Sequence, residues 1–263
     1  MLKALATHRW LVWELTRQDV QARYRGSVLG MAWPLLQPLL MLLVYTFIFS
    51  AVFKARWPGA TSGSNLDAAV AIFTGMIVHG FLAESLTRGP TLITSNPDFV
   101  KRSVFPVGIL SWVALGTATF QAAVCLLVLV AFLAASSIGL QWTIVYLPLV
   151  MAPLALFALG ILWLLAALGA YARDVGQVSS FLSSLLLFTS PVFFPLASLP
   201  DGFREVVAAN PLTFFIEESR KVVLWGEAPS WLALSLYLVA GLAFAVWASR
   251  WFESVRGGFD DVL

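Results

Sequence analysis

Long apolar stretches separated by short polar ones set the pattern of this chain. Runs rich in Leu, Val, Ala and Phe cover Leu29–Phe53, Val70–Ile93, Val107–Ala135, Trp142–Ala172, Val175–Leu196 and Trp231–Phe252. About 20 apolar residues wound as a helix reach across a hydrocarbon core, so each run predicts one membrane span. The runs are continuous rather than alternating, which favours helices over a transmembrane barrel. The expected fold is an all-α integral membrane protein: one transmembrane domain over residues 1–263, with six spans. Pro148 and Pro153 predict a kink or tilted start in the fourth span.

The polar interruptions have structure of their own. In "HRWLVWELTRQDVQARYRG", Glu14, Gln18, Gln21 and Arg25 recur at steps of four, three and four, one ridge of a helix. Trp13, Val20 and Tyr24 form an apolar ridge beside it, with Leu5 and Trp10 nearby. Residues 1–28 therefore read as an amphipathic helix lying in the membrane interface, with arginines toward anionic lipid. It is either an anchor or, in addition, a contact for a cytoplasmic partner. Gly26 and Gly30 make a G-x-x-x-G, which serves a close helix contact or a hinge.

Between the second and third spans, "ITSNPDFVKRSVFP" carries three charges in five residues. Burying Asp98, Lys101 and Arg102 at mid-membrane would cost about 2.5–3.5 kcal/mol each, so residues 94–106 face water. Asn96 suits an N-cap, Pro97 the first helical position and Asp98 the positive helix end. The segment is a tight turn or a docking helix. Near the other end of the chain, Pro191 and Pro195 predict an early break in the fifth span. Two short amphipathic helices follow within 197–230, near Asp201–Ala209 and Leu212–Trp225, the second behind the Asn210-Pro211 cap signal. This region dips into the membrane beside a pathway or forms an ordinary surface loop.

Composition agrees with the pattern: 60% of residues are hydrophobic, 11% are charged and mean hydropathy is +0.86, against roughly 45–50% and about 25% in soluble globules. The net charge of +2 says little, and no clustered basic face points to nucleic acid. The placement of Lys and Arg is more informative. With both termini in the cytoplasm, eleven of the 16 fall inside and five outside, as the positive-inside rule prefers. Charges such as Arg9, Glu14, Arg17 and Asp19 interrupt any apolar signal-peptide core, so the spans themselves are expected to drive insertion. Cys125, the single cysteine, cannot form an internal disulfide and suits a small buried hydrophobe.

Enzyme chemistry finds little support. The two histidines, His8 and His79, belong to no Ser-His-acid, zinc or nucleophile-elbow motif, and none of the four lysines sits in a P-loop. His79 is a polar packing residue or a proton relay. Glu84 and Arg88, four apart in the second span, share a face as a structural ion pair or as part of a coupling mechanism. Tyr45, Phe49 and Phe53 step by four along the first span. Phe181, Phe188, Phe193 and Phe194 mix with serines in the fifth. Such a face packs helices tightly or offers sugar rings a wet, uncharged path.

Two stretches, "RYRGSVLGMAWPLLQPLLMLLVYTFIFS" and "SPVFFPLASLPDGFREVVAANPLTFFIEESRKVVL", resemble the permease subunits of polysaccharide-exporting ABC transporters, the O-antigen, capsule and teichoic-acid exporters of bacteria. The resemblance spans the whole chain and is most specific in R-Y-R-G-S-x-L-G-x-x-W-P-x-x-x-P. It implies a homodimer in the bacterial inner membrane, working with two copies of a cytoplasmic ATPase that bind ATP and Mg. The chain itself then has no cofactor and no catalytic role. It further implies a polyprenyl-pyrophosphate-linked polymer as cargo and a channel between spans one and five of the two protomers, gated outside by the short helices. On that basis Tyr45, Phe49, Phe181, Phe188, Phe193 and Phe194 become channel candidates. Arg23 and Arg25 become headgroup ligands or plain anchors, and Asp98, Phe99, Val100, Lys101 and Arg102 become the ATPase-coupling helix. Rival readings are an ABC exporter of another lipid or drug, and a non-transporting scaffold or enzyme of envelope biosynthesis.

Overall fold

The computed structural model describes residues 2–53, 57, 66–100 and 105–259, and all regular structure among them is helical. Helix α1 (Leu2–Tyr24) precedes α2 (Trp33–Tyr45), which continues as a π-helical segment, Thr46–Val52. Then come α3 (Leu66–Arg88), the single turn α4 (Pro97–Val100), α5 (Ile109–Ala135), α6 (Leu147–Tyr171) and α7 (Val175–Thr189). The chain closes with α8 (Phe203–Ala209), α9 (Pro211–Arg220) and α10 (Trp231–Val255). Among the described residues, five helical stretches are long and apolar enough to cross a membrane: Gly30–Phe49, Leu66–Thr91, Ile109–Ala135, Trp142–Tyr171 and Trp231–Gly258.

The stretch expected as the fifth span is shorter than 175–196. Its helix stops after 15 residues at Thr189, because Pro191 has no N–H to continue it. At about 1.5 Å per residue, α7 falls short of a hydrocarbon core of about 30 Å. In the fourth span, Pro148 lies in the first turn of α6, where its missing N–H costs nothing, and Pro153 sits inside an unbroken helix.

Helix α3 is the hub, with 78% of its apolar window buried against 17% for Gly30–Phe49. Small residues explain the difference: Ala68, Ala69, Ala71, Gly75 and Ser85 let neighbouring backbones come close. One core cluster gathers Trp163, Leu159, Phe215 and Phe252 around α3, α5, α6, α9 and α10. The other gathers Leu42, Ile72, Leu133 and Val222–Leu224 around α2, α3, α5 and the turn after α9. Helices α6 and α10 approach through glycine, since a side chain at Gly160 would meet Phe244 and one at Gly241 the carbonyl of Pro153. Gly169 likewise admits the backbone of Pro90.

The two ends of α3 define the two ends of the bundle. At the Arg88 end lie α1, the turn Gly89–Thr91 and α4. At the Leu66 end lie α9 and the π-helical turn Lys221–Trp225, whose Val222 carbonyl accepts from Thr143 at 2.6 Å. Gly26 and Gly30 adopt positive φ (84° and 47°) with nothing within 4 Å of an added Cβ. They form the hinge between α1 and α2, and neither is a helix contact among the described residues.

Candidate functional site

At the Leu66 end of the bundle, an arginine absent from the sequence-based candidates organises everything around it. Arg220 ends α9 and is fully buried. Its Nε donates to the Ala71 carbonyl (3.0 Å), Nη2 to the Val192 carbonyl (2.9 Å) and Nη1 to Glu217 (2.7 Å). Its guanidinium carbon stands 4.6 Å over the Trp57 ring. One planar cation therefore ties α9 to α3, to the break after α7 and to Trp57, using the fork geometry peculiar to arginine. Glu218, earlier on the same helix, plays a matching part. It is buried, accepts from the Ser230 N–H (2.8 Å) and Oγ (2.9 Å), and pairs with Lys221 (2.6 Å), fixing the start of α10. Asn210 caps α9 as its sequence signalled, accepting from the Leu212 N–H at 3.0 Å, while its amide donates to Ser190 Oγ.

Beside this anchor is a cavity of about 330 Å³ lined by Phe49, Phe53, Trp57, Ile72, Phe193 and Phe194. Three of the six expected channel aromatics, Phe49, Phe193 and Phe194, thus converge on one space. Phe188 reaches Phe193 with ring centroids 6.4 Å apart. Phe181 lies one heptad back on α7, and both α7 rings are about two-thirds exposed. Tyr45 is half-buried on α2 against the second core cluster. Only Ser179 and Ser183 of α7 are buried, so the helix rests on a narrow stripe of small residues. The Ser183 carbonyl lies 3.1 Å from His79 Nε2, which gives that histidine a partner inside the bundle.

At the Arg88 end, four charges form a square. Arg88 makes two bonds of 2.8 Å to Asp19, Arg23 bonds Glu84, and the within-helix separations are 3.9 Å (Arg23–Asp19) and 3.7 Å (Arg88–Glu84). Thr117 of α5 donates to Asp19 at 2.7 Å. Burial pushes the Asp19 carboxyl up, but hydrogen bonds and charge from Arg88, with Thr117 and Arg23, outweigh it and hold the group below its ordinary 3.8. The expected Glu84–Arg88 pair is present, then, as half of a joint that fastens α1 to α3. A cavity of about 280 Å³ beside it takes in Tyr24, Gln37 and Gln121.

Residues 11–224 match the family described as ABC-2 type transporter. The chain belongs to that family. Two relatives are similar over nearly their whole length. An O-antigen export system permease protein RfbA of Myxococcus xanthus is 25% identical over 265 residues, covering 100% of this chain and 99% of the relative. A protein of the same name from Klebsiella pneumoniae is 24% identical over 251 residues, covering 95% and 93%.

As an ABC-2 type transporter, the chain is a multi-pass membrane protein whose sequence-derived site residues fall in three places. Arg23 lies in the charged joint, paired with Asp19 and Glu84, and Arg25 is exposed. In the loop after α3, Asp98 is exposed, but Phe99 stacks on Phe105 (4.8 Å) and packs against the first core cluster. Its ring holds α4 to the bundle instead of pointing outward. The Asn96 side chain, just before α4, donates its amide back to the Leu92 carbonyl at 2.9 Å. The side chain of Val100, and Lys101 and Arg102 altogether, lie outside the described residues.

Sequence reasoning misses Arg220, Glu218 and Asp19. The count of charges on each side takes Arg220 only as a cation of the outer loop. The signal that could have found it is the EESRK run, charges placed inside an otherwise apolar amphipathic stretch. Asp19 is signalled by Thr16, Asp19, Val20 and Arg23, a second helical stripe of the ABC-2 transporter chain beside the polar ridge that draws attention first.

Proposed function

We propose that this chain is the membrane subunit of an exporter that moves a lipid-linked polysaccharide of the O-antigen kind across the bacterial inner membrane. Energy comes from a separate ATPase that binds ATP and Mg. The observation that carries the reading is the aromatic surface running from Phe181 and Phe188 on α7 through Phe193 to the cavity of Phe49, Phe53 and Phe194. Aromatic faces let sugar rings pass without fixed charge. The similarity to two O-antigen export permeases over nearly their full length supports the same cargo class.

Two copies would meet through α2 and α7, which leave most of their surface uncovered within one chain. The charge bias puts both termini, α1 and α4 in the cytoplasm, and α8 and α9 outside. In that orientation α9, held by Arg220, stands at the exit as a gate. In this reading the exposed Arg25 meets a pyrophosphate headgroup, since arginine offers two parallel donors to phosphate oxygens. Deleting the gene should leave finished lipid-linked polymer trapped on the cytoplasmic side, measured by separate assays for synthesis and surface display. If polymer is never made, the chain is a biosynthetic scaffold or enzyme. If polymer reaches the surface normally, its cargo is another lipid or a drug.

Residues 94–106 serve as the coupling helix, with Phe99 anchoring it from behind and Asp98, Lys101 and Arg102 meeting the ATPase. Charge reversal at both Lys101 and Arg102 is expected to abolish co-purification of the ATPase while membrane insertion stays normal. Normal assembly of the complex would remove this role.

A further inference from the structure

A third and larger cavity, about 760 Å³, lies away from the aromatic pathway, in the angle between α1 and α5. Its walls are apolar: Val12, Trp13 and Val20 from α1, and Leu115, Phe120 and Ala123 from α5. Trp13 and Ala123 are exposed, so the groove opens outward from the protein. Its volume lies within the range of about 300–1,000 Å³ typical of sites that hold an organic ligand.

The walls are fixed to each other. A Cβ on Gly116 would come within 2.8 Å of the Thr16 hydroxyl, so α1 and α5 touch there through glycine. At the next position of α5, Thr117 bonds Asp19. The groove is therefore built into the fold before any ligand arrives.

Its charge is one-sided. Arg9 and Arg17 line the groove from α1, and no carboxylate is among its lining residues. Arg9 makes no ion pair among the described residues, and Arg17 meets only Glu14, at 3.9 Å, with its side chain 62% exposed. Two open cations beside an apolar slot, on a helix lying against the first apolar turns of α5, match one kind of molecule. We propose that this groove is a binding site for an anionic membrane phospholipid, one acyl chain lying between α1 and α5 and the phosphate held by Arg9 and Arg17. The lipid would fill the space behind α1 and so set how firmly α1 is docked. Attraction of basic side chains to anionic lipid is worth roughly fivefold in affinity for each arginine.

The test uses the purified full-length chain, stripped of lipid in detergent. Phosphatidylglycerol or phosphatidylcholine is added, and bound lipid is counted by native mass spectrometry. The wild-type chain should bind phosphatidylglycerol at least about tenfold more tightly than phosphatidylcholine. Replacing both arginines (Arg9→Ala with Arg17→Ala) should erase that preference. Ala123→Trp, which fills the groove from an exposed position and spares the core, should lower binding of both lipids, and an unchanged melting temperature will show that it folds. Equal binding of the two lipids by the wild type, a preference surviving loss of both arginines, or undiminished binding by Ala123→Trp would each overturn the proposal. So would displacement of phosphatidylglycerol by a polyprenyl phosphate at lower concentration, which would assign the groove to the lipid of the cargo.

Discussion

Replacing Arg220 with methionine is expected to lower the thermal midpoint of the purified chain by on the order of 10 °C and to abolish export. The side chain is wholly buried, and its loss would leave Glu217 without its cation and the Ala71 and Val192 carbonyls without those donors. Losing a charge-assisted hydrogen bond at each of two buried carbonyls costs about 1.5–3 kcal/mol apiece, and Glu217, 24% exposed, adds less than a fully buried partner would. Against a total stability of about 5–15 kcal/mol, that is a large share. Methionine fills much of the volume, so the loss reports polar contacts and the Trp57 stack more than a cavity. Lysine should rescue only in part: it keeps the charge, but one ammonium cannot serve three acceptors in different directions or stack flat on Trp57. Glu217→Gln keeps an acceptor for Nη1 and should cost far less than the arginine change. A wild-type melting curve for Arg220→Met would sink the view that this residue holds α9 against α3.

What the sequence made legible follows from where its physics is local. Span positions are set by runs of apolar residues, and five of the six expected spans match helices long enough to cross. The break in the fifth is written in Pro191, and the cap of α9 in Asn210-Pro211. The aromatic candidates came partly together because Phe193 and Phe194 adjoin the break that turns them toward Phe49. What stayed hidden depends on partners far along the chain. Arg220 finds Ala71 149 residues away, and Arg88 finds Asp19 across 69. Helical periodicity gives a face but not its neighbour. For that reason Glu84–Arg88 looked like a self-contained pair, and the pairing of Arg23 with Glu84 stayed unseen.

That square of charges carries the second large effect. On α1 the order is Asp19 then Arg23, and on α3 it is Glu84 then Arg88, with Asp19 facing Arg88 and Arg23 facing Glu84. Every charge therefore has an opposite neighbour both along its helix and across to the other. Asp19→Ala or Arg88→Ala should free α1, read as faster trypsin cleavage at Arg9 and Arg17, and a double-mutant cycle should give a coupling of about 0.5–3 kcal/mol. Exchanging only that pair (Asp19→Arg with Arg88→Asp) should not rescue docking. The exchange puts a second cation beside Arg23 on α1 and a second carboxylate beside Glu84 on α3, turning two favourable neighbours into repulsive ones. Inverting all four positions restores alternation and should recover most of the protection, short of what Thr117 contributes through Asp19. Acid should leave the joint intact over the physiological range. The native Asp19 carboxyl lies below its ordinary 3.8, so its stabilisation is complete above that value and fades only as pH falls through the lower native one. Protection of α1 from protease should accordingly be flat from about pH 8 to pH 5. Rescue by the two-residue exchange alone would mean that Asp19 and Arg88 act as an isolated pair. Because Arg88 leads through Gly89–Thr91 and residues 92–96 into α4, a square that acts as one unit would carry a displacement of α4 into both α3 and α1.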